Sequence, residues 1–212
     1  MIAAICCLLS ISLVIPSLKG AGLAATNPPL TVLMDFESPH SETSFQSLRQ
    51  GLNRLLSPGG MNVSVALKAD LPLNPQFGQL VVFKMKGSCS MSPVRSNKMA
   101  EKRGPLALAY TSDGQVLHFG EVECDRIRYT LQRILGRGAS MKNQETYGSA
   151  LAIVMAHEVY HMLGNVVHHT HEGLTKPALS AYELTDPDLS LPPGAVATIR
   201  HNMHISNLVS PK

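Results

Sequence analysis

Two histidines four residues apart, with a glutamate beside the first, have the clearest capacity for chemistry in this chain: His157-Glu158-Val159-Tyr160-His161. On an α-helix, residues at that spacing differ by about 40° around the axis and about 6 Å along it, so both imidazoles reach one ion from one face. Zinc accepts neutral imidazole nitrogen at about 2.0–2.1 Å, and three protein ligands leave a position for water. Glu158 is placed to take the proton of that water as it attacks a carbonyl. The surroundings sharpen the reading. Residues Ala150–His171 read ALAIVMAHEVYHMLGNVVHHTH, and in so apolar a run two imidazoles and a carboxyl are costly unless they have partners. Gly164 is expected to end the helix in a left-handed conformation. Of nine histidines, five lie between 157 and 171, the last three being His168, His169 and His171.

H-E-x-x-H followed by x-x-Gly resembles the metzincin branch of the zincin metallopeptidases. That pattern continues to a third histidine, which here would fall on Val167, a residue that cannot bind metal. His168 and His169 come next. The longer stretch MAHEVYHMLGNVVHHTHEGLTKPALS is similar to a group of small secreted bacterial proteins with HELYHML-type helices. That resemblance implies His169 as the third ligand, with His168 the alternative. A loop two residues longer can deliver His169, because closure entropy grows slowly with length. It needs one extra bend, for which Asn165 suits a left-handed conformation. His171 also stays open. Thermolysin-like enzymes draw a glutamate from a second helix, and Glu183 lies 22 residues after His161. The resemblance further implies a methionine beneath the metal, for which Met203 is a counterpart, and a tyrosine such as Tyr182 as donor to the oxyanion. Tyr160 should face away from the metal. Bound Zn2+, a peptide or protein substrate and hydrolysis by activated water follow as expectations. The rival is a non-catalytic metal-binding or interaction protein on a zincin-like scaffold, suggested by the altered third-ligand spacing. Intact Glu158 favours the enzyme. No G-x-S-x-G and no phosphate-binding glycine motif offers another chemistry.

Several elements must position these groups. Leu30–Phe36 reads as a buried strand, and Ser41 opens a helix with Phe45, Leu48, Leu52, Leu55 and Leu56 on one face. Met61–Leu67 and Gln79–Lys86 read as strands. Leu106–Thr111 and Gln115–Phe119 flank Ser112-Asp113-Gly114, a hairpin signal. Asp125–Leu135 and Tyr147–Leu163 read as helices, with a loop over Gly136–Asn143. The last 45 residues read as irregular coil with one short helix near Leu179–Leu184. This order predicts a mixed α/β (α+β), zincin-like domain: a sheet of about five strands crossed by the metal helix.

Composition fits one such domain. The chain has 212 residues, 44% hydrophobic and 16% charged, which excludes a disordered or coiled-coil chain. Net charge is only +3 and the basic residues are scattered, so no nucleic-acid partner is expected. Ile2–Ile15 is an apolar run stopped by Pro16, too short for a membrane span. Gly20, Ala21, Gly22, Ala24 and Ala25 follow, which predicts a signal peptide over 1–24, cleaved within 20–25, and a domain over 25–212. The expected location is secreted or periplasmic, with no stable membrane span afterwards. An uncleaved anchor is the alternative, since no Lys or Arg precedes the run. Too little chain separates the signal from the first strand for a latency propeptide. Export would remove Cys6 and Cys7 and leave Cys89 and Cys124 to pair. That bridge should contribute about 3–4 kcal/mol by restricting the unfolded chain.

Overall fold

Apolar periodicity and turn chemistry set the element order. The computed structural model describes residues 29–92 and 104–209, with side chains described up to 203. The signal segment over 1–24 lies outside these residues. Five strands, β1 (Leu30–Phe36), β2 (Val63–Leu67), β3 (Gln79–Lys86), β4 (Ala107–Ser112) and β5 (Gln115–Glu123), form one sheet in the order β2-β1-β3-β5-β4. All neighbours are parallel except β4, which runs antiparallel to β5 at the sheet edge. In β3 the alternation is plain: Val81, Phe83 and Met85 are fully buried and their neighbours are not. Asp113 and Gly114 both take positive φ, 51° and 77°, which gives the hairpin a turn whose twist matches its strands.

The helices are α1 (Glu42–Leu56), α2 (Cys124–Leu135), α3 (Met141–Gly164) and α4 (Pro193–Val209). Ser41 caps α1, its side chain accepting from the Ser44 amide. Leu48, Leu52 and Leu55, at most 2% exposed, each gain about 1.5–3 kcal/mol from burial. They pack α1 against α3. The close approach depends on glycine: a Cβ on Gly148 would fall inside the contact radius of the Ser44 carbonyl oxygen, and one on Gly51 would sit 2.6 Å from the Ala152 Cβ. Gly148→Ala should therefore destabilise the fold by about 2 kcal/mol through overpacking. Gly138→Ala, where only Asn143 lies near at 3.7 Å, should change stability by less than about 0.5 kcal/mol. Urea denaturation of both variants checks this, and equal midpoints would contradict the packing account.

Cys89 and Cys124 are bridged, with Cα atoms 4.9 Å apart. The bridge ties the loop after β3 to the first residue of α2. Around it the start of α3 is held by side chains. Tyr147 donates its hydroxyl to the Cys124 carbonyl at 2.8 Å. Gln144 accepts from the Ser44 hydroxyl at 2.7 Å and the Met91 amide at 3.1 Å, and donates to the Ser90 hydroxyl at 3.1 Å.

The structure departs from the sequence expectations in several places. Strand β2 starts at Val63 rather than Met61, and β4 at Ala107 rather than Leu106. Strand β5 continues to Glu123, because Gly120 and Val122 carry its buried face past Phe119. Helix α3 begins at Met141, six residues before Tyr147, because Ser140 caps it by accepting from the Asn143 amide. Its first turns are polar, so apolar spacing does not reveal them. The expected helix near Leu179–Leu184 is a single 3-10 turn over Glu183–Thr185. The larger omission is α4. Pro192-Pro193-Gly194 reads as a break, yet proline suits the first turn of a helix. Ala195, Val196, Ile199 and Met203 then bury one face. No described helix is long and apolar enough to cross a membrane.

Candidate metal centre

Helix α3 is buried on most of its circumference from Tyr147 to Leu163, which explains its apolar sequence. His157, Glu158 and His161 interrupt that apolar run on the side lining a cleft. Glu158 is 7% exposed and His161 6%. Beyond Gly164 the chain reverses at Asn165, whose φ of 46° and ψ of 45° are left-handed. Gly164 itself remains helical, so the left-handed residue is one position later than Gly164 suggested. The small side of Gly164 instead faces Val166 and Thr198. Asn165 is held by its side chain, whose oxygen accepts from the Val116 amide at 2.9 Å. The Val166 amide returns to the His161 carbonyl at 3.2 Å. This turn brings His169 back over the helix.

Three Nε2 atoms converge there. His157 and His161 are 3.0 Å apart, and His169 is 3.2 Å from each. Tautomers follow from the other ring nitrogens. Nδ1 of His157 lies 2.7 Å from the Leu174 carbonyl, and Nδ1 of His161 lies 2.7 Å from the Val166 carbonyl. A carbonyl oxygen only accepts, so each Nδ1 carries the proton and each neutral ring turns a bare Nε2 lone pair inward. Two lone pairs facing at 3.0 Å repel unless a cation lies between them. Edges of this size fit an ion about 2.0–2.1 Å from each nitrogen. Charge on the rings is disfavoured as well. Burial first, then the neighbouring imidazoles, draws His157 down to about 4 against the pull of its carbonyl partner. Burial also lowers His161 and His169. Neutral imidazole is the form a metal binds, so these residues fit a metal ion.

Glu158 shares the cleft. Burial raises its carboxyl to about 7, opposed by hydrogen bonding from the Ala109 backbone. The cleft has a volume of 520 Å³. It is lined by Gly104 to Ala109, in and before β4, by Val154, His157, Glu158 and His161 of α3, and by Lys176, Pro177, Ala178 and Leu179.

The other sequence candidates fall elsewhere. His168 and His171 are exposed and outside the convergent group, and Val167 is 64% exposed. Glu183 is bound by Lys176 and Ser180 rather than by the histidines. Tyr182 is 76% exposed and does not line the cleft. Tyr160 is buried at 3% exposure. Met203 is buried on α4, and the group bonded behind His157 is the Leu174 carbonyl. The carbonyls of Val166 and Leu174, which set the tautomers, could not be found from residue types, since every residue carries one.

No family model and no curated protein sequence matches this chain. Among solved structures it is similar to the crystal structure of archaemetzincin from Methanopyrus kandleri, with a TM-score of 0.54 and 11% sequence identity. The superposition covers 86% of this chain and 99% of that one. At that identity the likeness speaks to architecture alone: a five-stranded mixed sheet crossed by a long helix that carries the histidines, a zincin-like fold.

Proposed function

We propose that this protein is an exported zinc-dependent peptidase. The observation that carries the reading is the convergence of three Nε2 atoms, two with tautomers fixed by backbone carbonyls, in one cleft with a buried carboxyl. His157, His161 and His169 would hold Zn2+ from the helix and the returning loop. A zinc ion there supplies Lewis acidity, polarising a substrate carbonyl and lowering the pKa of water. Glu158 takes the proton from the attacking water on its carboxylate and hands it to the leaving amine. The antiparallel edge strand β4 offers backbone groups along one side of the cleft, which suits an extended peptide. The aliphatic lining from Leu106, Leu108, Val154 and Leu179 suits an apolar substrate side chain. Export is supported by the apolar run Ile2–Ile15 and by the Cys89–Cys124 bridge.

Metal analysis of the purified protein and digestion of a mixed peptide library test the proposal together. The expected result is about one zinc per chain, as a single three-histidine site holds, with cleavage that stops on treatment with a chelator and returns with added zinc. Zinc binding without any cleavage would favour the non-catalytic alternative. Absence of metal affinity would overturn both.

A further inference from the structure

We propose that Lys176 anchors a carboxylate of the peptide that occupies the cleft, so that the protein selects acidic substrates. This rests on the peptidase reading for the nature of the ligand and adds its chemical class.

Besides the three histidines, two described residues lining the cleft carry ionisable side chains, Glu158 and Lys176. Glu158 is assigned to the water, so Lys176 is the cation available to a substrate. Its neighbours in the lining, Pro177, Ala178 and Leu179, are apolar and offer a carboxylate no competing cation. Its position is fixed from the metal side. The Leu174 carbonyl bonds His157, and the buried Thr175 bonds the Thr170 amide through its carbonyl at 3.0 Å. Lys176 is the next residue.

Its head is also held. The ammonium donates to Glu183 at 2.6 Å, and Glu183 in turn accepts from the Ser180 amide and hydroxyl, both at 2.8 Å. Lysine, then Ser180, holds the Glu183 carboxyl down to about 2, so the pair stays ionised at neutral pH. The side chain has thus already lost much of its rotamer freedom, and a ligand meets an ordered cation. An ammonium has three donors and Glu183 occupies one. Glu183 does not line the cleft and Lys176 does, so of the pair it is the lysine that a peptide there meets. A carboxylate can accept from the remaining donors, whether it comes from an Asp or Glu side chain or from a chain terminus.

The test is binding by the zinc-loaded protein carrying Glu158→Gln, so that nothing is cleaved. The probes are fluorescent peptides of one sequence with Glu or Gln scanned along it, each with a free or an amidated C-terminus. The expected result is that one carboxylate peptide binds about tenfold tighter than its amide twin, the size of one charge-assisted hydrogen bond. The arm that shows the difference identifies the source. Adding Lys176→Met should equalise the twins without weakening the amide peptide. Adding Glu183→Gln, which removes the clasp but keeps the cation, should preserve the preference. Equal binding of all twins, a preference that survives Lys176→Met, or its loss in Glu183→Gln would overturn the proposal. Cleavage by the unmodified chain is scored separately. A protein that cuts peptides without carboxylate preference overturns only the anchor, and one that prefers carboxylates without cutting overturns only the peptidase.

Discussion

Glu158→Gln is expected to lower peptide hydrolysis by about two to four powers of ten, the usual contribution of a positioned general base, while the zinc stays bound. The substitution preserves the shape of a side chain that is 7% exposed in the cleft. It removes the group that accepts the proton and leaves the three imidazoles untouched. Two of them, His157 and His161, are oriented by the Leu174 and Val166 carbonyls, bonds that do not involve Glu158. Steady-state kinetics beside a metal assay on the same preparation separates the two effects. Unchanged turnover would remove Glu158 from the reaction. Loss of zinc along with activity would show a structural part for the carboxyl.

The second large effect concerns the third imidazole. His169→Ala should weaken zinc binding at least about tenfold, the lower end of what even a supporting group around a metal costs, whereas His168→Ala should leave it nearly unchanged. His169 Nε2 stands 3.2 Å from both helix imidazoles, and His168 is exposed outside that group. The distinction hangs on Asn165, whose left-handed backbone and bond to the Val116 amide fix the register of the returning loop. A competitive zinc titration on the two variants decides it. If His168→Ala emptied the site and His169→Ala did not, the loop would be displaced by one residue.

Much of this was legible in the sequence, and for identifiable reasons. Helix α3 announces itself because full burial demands an unbroken apolar run, against which His157, Glu158 and His161 stand out. The hairpin is legible because Asp113-Gly114 meets a steric requirement for positive φ. Parallel strands buried on both faces, such as β1, show as solid apolar runs. Helix α4 was hidden because Pro193 can both stop and start a helix, and only the burial of Ile199 and Met203 tells which. The start of α3 was hidden because a cap at Ser140 leaves no apolar signal. The register of the third convergent histidine was harder still: His168 and His169 are the same residue type one position apart. The left-handed turn at Asn165 and its bond to a distant strand separate them, and that bond has no local signature. The cleft wall at Lys176–Leu179 belongs to the same class, being irregular chain placed by side-chain bonds to Glu183.

The position of β4 at the sheet edge bears on behaviour at high concentration. A free strand edge is a template on which a second copy can pair, and exposed edges are where folded sheet proteins begin to aggregate. Here the residues of that edge from Ala107 to Ala109 line a cleft that Lys176–Leu179 also line. Pro177 has no amide proton to offer a strand from the opposite side. The opposite edge, β2, is only five residues long and runs directly into Lys68 and Asp70, features that discourage pairing. Both edges of the sheet thus carry features that discourage pairing with a second copy.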